Sequence, residues 1–72
     1  MKTDLHGLTI AEATKIVLEI IDKTRLNRST ITLELVTGQG KMQKEMIALL
    51  KDYQCEATIR LGNNGIIVAE IE

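Results

Sequence analysis

Two short stretches of this chain carry the residues able to do chemistry. The first is Asp4-Leu5-His6-Gly7, a carboxylate and an imidazole separated by one apolar residue. In an extended segment alternate residues share a face, so Asp4 and His6 point one way and Leu5 the other. Histidine exchanges protons near neutral pH and also binds anions as imidazolium. A carboxylate on the same face would orient its ring. The second stretch is Val36-Thr37-Gly38-Gln39-Gly40-Lys41, between an apolar strand-like run and a helix-like run. Its two glycines let backbone N–H groups turn outward, and a helix N-terminus adds orphan donors and partial positive charge. That combination suits an anion, phosphate above all. Lys41 and Lys44, on the first turns of the following helix, add local positive charge. Each feature also has a structural reading. The glycines could form a tight strand-to-helix turn that binds nothing, Asp4 could bond only a loop backbone, and the lysines could be a solvated face.

Related motifs fail on particular positions. A Walker A loop ending at Gly40-Lys41 needs glycine where Leu35 stands and Ser or Thr where Met42 stands. A dinucleotide fingerprint starting at Gly38-Gln39-Gly40 needs glycine in place of Gln43. Ser29, the only serine, has no evident partner, and Cys55 falls on the apolar side of its segment, which argues against a thiol nucleophile. One Cys and one His cannot complete a structural zinc site. No metal or cofactor is expected.

The elements that must position these residues follow from periodicity. Residues 3–6 are strand-compatible, and Gly7-Leu8 turns the chain. Thr9-Ile10-Ala11-Glu12 reads as a capping box, and Ile10, Ala13, Ile16, Val17, Ile20 and Ile21 recur at helical spacing, predicting a helix over 9–25. Residues 29–36 alternate as a half-buried strand. Met42, Met46, Ile47, Leu49 and Leu50 form a helical stripe over 41–53, with the methionines as core filler. Cys55, Ala57, Ile59 and Leu61 alternate with Glu56, Thr58 and Arg60 as a third strand. Gly62-Asn63-Asn64-Gly65 is turn chemistry, and residues 66–71 are apolar on most positions of both faces, as a central strand is.

The order βαβαββ is an α/β fold, an α+β two-layer sandwich. Right-handed crossovers put both helices on one face of a mixed four-stranded sheet, and a hairpin that places the fourth strand inside gives the order 1-2-4-3. Strands one and two are then parallel neighbours, so His6 and the glycine loop meet at one sheet edge, the usual ligand edge of open α/β sheets.

Seventy-two residues make a single domain, 1–72, close to the size at which a core sustains itself without staples. One cysteine excludes an internal disulfide framework and points to a reducing, cytoplasmic setting. No apolar run is long enough for a bilayer and the N-terminus does not read as a signal peptide, so no membrane partner is expected. A net charge of −1 gives no global pull on nucleic acid, and Tyr53 as the only aromatic excludes a base-stacking platform. No residue specifies an oligomeric state.

Asp4-Leu5-His6-Gly7-Leu8-Thr9 with Glu12-Ala13, and Thr37-Gly38-Gln39-Gly40, resemble the two boxes of the small MutS-related (Smr) domain family, and the order of elements fits over essentially the whole chain. Thr3 stands where the family usually has leucine. The loop after Gly40 and the Gly62–Gly65 hairpin are shorter than usual, which shrinks the basic surface. The resemblance implies a fold like the C-terminal domain of bacterial translation initiation factor three. It also implies DNA or RNA binding, often with endonuclease activity and in some members on stalled ribosomes. Carried over by position, the active region is Asp4, His6 and Gly7 with Thr37, Gly38 and Gly40.

The leading expectation is therefore an endonuclease-type domain cutting phosphodiester backbones with little sequence preference. His6 and Asp4 would be catalytic, with Gly7, Thr37, Gly38, Gln39, Gly40, Lys41 and Lys44 holding phosphate. No carboxylate cluster of the two-metal kind is present, so metal independence is expected. The alternatives are a non-catalytic RNA- or ribosome-docking module and a protein-interaction domain using the open sheet face at Thr32, Glu34, Thr58 and Arg60.

Overall fold

The computed structural model describes all residues, Met1–Glu72. The elements are β1 (Lys2–Asp4), α1 (Ile10–Leu26), β2 (Ile31–Val36), α2 (Lys41–Asp52), β3 (Glu56–Ile59) and β4 (Ile66–Ile71). They form one mixed sheet in the order β1-β2-β4-β3. β1 runs parallel to β2, and β4 runs antiparallel to β2 and β3 on either side. The βαβαββ sandwich and the 1-2-4-3 order read from the sequence are the architecture observed.

α1 starts where its capping box says it must. Thr9 Oγ1 accepts the Glu12 N–H at 3.1 Å, and Glu12 Oε1 accepts the Thr9 N–H at 3.0 Å, so two orphan donors are satisfied reciprocally. The Thr9 backbone N–H, and then the Thr9 side chain, hold the Glu12 carboxyl below its ordinary range. A depressed carboxylate pKa gives stability that is complete at neutral pH and is lost as pH falls through the folded-state value. Glu12→Gln is therefore expected to flatten the acid limb of stability against pH. Urea midpoints measured from about pH 7 to about pH 3 should fall less in the variant than in the parent.

The core lies between the helices and one sheet face. It joins Leu5, Ala13, Val17, Ile21, Leu33, Leu35, Met46, Leu50, Cys55, Ile67, Ala69 and Ile71. The other face carries Thr32, Glu70, Thr58 and Arg60 in water, with Glu34 half-buried. Ile66 also belongs to that open face, opposite Val36, yet it is buried among its neighbours. β4 is thus apolar on both faces because it is central.

Two strands end earlier than the periodic reading has them. β1 ends at Asp4, and Leu5 follows as a fully buried residue whose N–H donates to the Val36 carbonyl at 2.8 Å. β3 ends at Ile59, although the alternation runs on to Leu61. Ile59 is 44% exposed and Leu61 98% exposed, because the chain leaves the edge of the sheet for the turn at Gly62, whose φ is +81°.

Candidate phosphate-binding edge

The strand order sets three loops side by side along one edge: His6-Gly7 after β1, Thr37–Gly40 after β2, and the 60–65 connection before β4. The bond from Leu5 N–H to the Val36 carbonyl holds the first two together as both chains leave the sheet. Gly7, at φ +84°, then turns the chain toward the α1 cap.

Asp4 does not reach the imidazole. Its Oδ1 accepts the His6 backbone N–H at 2.8 Å, a local turn that fixes where the chain departs rather than how the ring points. His6 is exposed, and its side chain makes no hydrogen bond. The expected orienting role of Asp4 is therefore corrected to backbone positioning of His6.

The glycine loop is corrected in a similar way. The N–H groups of Thr37 and Gly38 do not face outward. Both donate to the Gly65 carbonyl, at 2.9 and 3.1 Å, because β4 starts opposite Val36 and Gly65 continues that ladder. Thr37 is buried, and its hydroxyl donates to the Gly38 carbonyl at 2.8 Å. The free donors begin one residue later. The N–H groups of Gln39, Gly40, Lys41, Met42 and Gln43 donate to no protein group, and the first α2 bond is Lys44 N–H to the Gly40 carbonyl at 3.2 Å.

α2 therefore opens without a cap. Gly40 is its N-cap residue, at φ 106° and ψ −143°, and has no side chain to accept a bond. Its first turn holds no acidic residue, and Lys41 and Lys44 lie exposed on the first turns. Cations there oppose the helix dipole by roughly 0.3–1 kcal/mol each at low salt. A bound anion would reverse that penalty.

Across the loop from His6 lies an open polar groove of about 550 Å³, lined by Gly38, Gln39 and Gly62 to Gly65. A Cβ at Gly65 would sit 3.4 Å from the Gly38 Cα, in van der Waals contact, so the hairpin and the glycine loop pack against each other here. The hairpin also closes on itself, with Asn63 Oδ1 accepting the Gly65 N–H at 3.2 Å. Gly38 and Gln39 thus meet the hairpin, while His6, Asp4, Gly7, Lys41 and Lys44 stand outside this groove.

Sequence reasoning missed Gln43. It is buried at the start of α2, and its Nε2 donates to the Asn64 carbonyl, tying the helix to the hairpin. The signal was there: Gln43 precedes Met46 by three positions and Leu50 by seven, which places it on the buried stripe. No cluster of three His, Cys, Asp or Glu side chains converges as a metal site. Burial raises the Cys55 thiol above its ordinary value, with Arg25 pulling the other way, so the sulfur is a protonated core group at neutral pH. No helix is long and apolar enough to cross a membrane. No protein-family model, curated protein or solved structure matches this chain.

Proposed function

We propose that this chain is an Smr-type cytoplasmic domain that binds the phosphodiester backbone of DNA or RNA at the β1–β2 edge and cleaves it with little sequence preference. The observation that carries this reading is the contrast between the two helix starts. α1 satisfies two of its first donors through Thr9 and Glu12, whereas α2 has no capping side chain and presents five consecutive free N–H groups beside Lys41 and Lys44. Such a start is complementary to a phosphate. At the neighbouring strand end, held to the end of β2 by the Leu5 N–H to Val36 carbonyl bond, stands His6, an exposed imidazole that no structural bond employs.

In the proposed reaction an attacking oxygen bonds to phosphorus while the bond to the leaving ester oxygen breaks. His6 takes the proton from the attacking water or hydroxyl oxygen while solvent water gives one to the leaving oxygen, and the N–H groups from Gln39 to Gln43 stabilise the charge that develops on the non-bridging oxygens. Asp4 acts by setting the backbone from which His6 projects.

A second reading is favoured by one observation: nothing holds the His6 ring, as a catalytic base usually requires. In that reading the same edge docks on RNA or a ribosome without turnover. The deciding experiment is cleavage of end-labelled structured RNA and of supercoiled plasmid, with and without chelator, by the parent and by His6→Ala. Cleavage by the parent that drops by about 10²-fold or more in the variant is the expected result. Equal cleavage by both overturns the role of His6. Salt-sensitive binding with no cleavage by either overturns the nuclease reading in favour of docking.

A further inference from the structure

The two edges of the sheet are not protected equally. β1 is three residues long and carries Lys2 on its outer rim, devices that discourage another strand from adding. β3 has no proline, no lysine and no bulge, and its pairing with β4 is uninterrupted from Glu56 to Ile59. Arg60 N–H donates to the Ile66 carbonyl at 2.9 Å, so positions 56, 58 and 60 turn their backbone groups toward β4. By the alternation of an antiparallel ladder, Ala57 and Ile59 turn theirs outward. Beside this free rim lie the exposed side chains of Ile59 and Leu61.

The charges along β3 are also unbalanced. Glu56 stands directly opposite Glu70 on the open face, a like-charge pair, while the Glu70 carboxylate already accepts the Thr32 hydroxyl at 2.9 and 3.0 Å. The chain's one ion pair joins Arg60 to Glu34, and the Arg60 side chain stays half exposed. Glu56 lacks a cation, and Arg60 has surface to spare.

We propose that β3 is a dimerisation edge, at which two copies of this chain pair antiparallel about Thr58 to extend both sheets into one. This register sets Ala57 opposite the partner's Ile59, joining outward-facing backbone groups on both sides of the twofold axis. It also sets Glu56 opposite the partner's Arg60, twice by symmetry, and Thr58 opposite the partner's Thr58. Charge selects the register. Centring one residue away, on Ala57 or Ile59, forms no Glu–Arg pair; centring on Glu56 or Arg60 sets like charges face to face. Each exposed Ile59 side chain lies against the partner's Ala57 on the helix side of the joined sheet, where it loses water.

The contact belongs to the small, transient class of interfaces, so sedimentation equilibrium is run on the purified chain up to about 1 mM. The expected result is an average mass rising from the monomer toward twice that value. Glu56→Arg and Arg60→Glu should each weaken association by about tenfold or more, and mixing the two variants should restore it, because each then supplies the charge the other lacks. Thr58→Cys provides a readout on a side chain whose exposure spares the fold. Across the axis the two α-carbons are about 4.5 Å apart, within disulfide reach. That variant should cross-link faster on mild oxidation than Thr32→Cys, a control on the same face but inside the sheet. A mass that stays monomeric with equal cross-linking of the two cysteine variants overturns the proposal. So does association unaffected by Glu56→Arg, or a folded mixture of the charge variants that fails to recover.

Discussion

Leu35→Ala is expected to cost about 2–5 kcal/mol, the largest stability loss of any substitution proposed for this chain. Leu35 is fully buried in β2, paired with Thr3 of β1 on one side and Ile67 of β4 on the other. It therefore fixes the junction of the parallel and antiparallel halves of the sheet, under the core face of α1 and α2. A chain of this length has roughly 4–11 kcal/mol of stability at the usual 0.05–0.15 kcal/mol per residue, so one such cavity removes a large share of it. Urea unfolding should show a midpoint shift with an unchanged slope if the denatured state is unaffected. Ile59→Ala is the comparison, since 44% exposure leaves less to lose, and it should fall well short of the Leu35 effect. Equal losses at the two sites would mean that the edge of the sheet is packed as tightly as its centre.

The difference between those two residues also marks where the sequence stops being informative. Leu33-Glu34-Leu35 and Ala57-Thr58-Ile59 show the same alternation, and both pairs of apolar residues lie on the helix face. Periodicity reports which face a side chain joins. It does not report whether a helix covers that part of the face, which depends on lateral position in the sheet. α1 was legible almost to the residue, because Thr9 and Glu12 are local devices whose partners are three positions apart. Gln43 was legible in spacing but overridden by its polarity, and its partner, Asn64 O, lies on a loop 21 residues away.

The sequence predicted that the two motifs meet at one edge of the sheet, as the strand order has them, but not the destination of the donors there. Two glycines and a following helix are visible in any reading of Thr37–Lys41. That Gly65 takes the N–H groups of both Thr37 and Gly38 follows only from the register of β2 against β4. In the same way, Asp4 and His6 share a face in an extended chain, but the strand ends at Asp4 and its carboxylate turns to the nearest backbone donor.

Under the proposed nuclease function, Gly40→Ala is expected to lower phosphodiester cleavage by about 10²–10³-fold, the loss typical of removing one oriented donor from a developing oxyanion. The backbone there sits at φ 106° and ψ −143°, a region few residues other than glycine enter, so alanine is strained by about 1–3 kcal/mol. Nothing lies within 4 Å of the added methyl, which means that the strain is relieved by the chain and not by a neighbour. Relief rotates the peptide groups on either side of Gly40, and these carry the first free donors of α2. Gly62→Ala controls for strain alone: it has φ +81°, open space around the added methyl, and a position in the hairpin instead of at a helix start. Both variants should lose comparable stability by urea unfolding, while cleavage and oligonucleotide-induced amide shifts at residues 39–43 collapse only in Gly40→Ala. Equal loss of cleavage in the two variants would move the phosphate into the groove shared with the hairpin. Full cleavage by Gly40→Ala would remove the α2 N-terminus from the reaction, leaving His6 without the charge-stabilising partner on which the proposed chemistry depends.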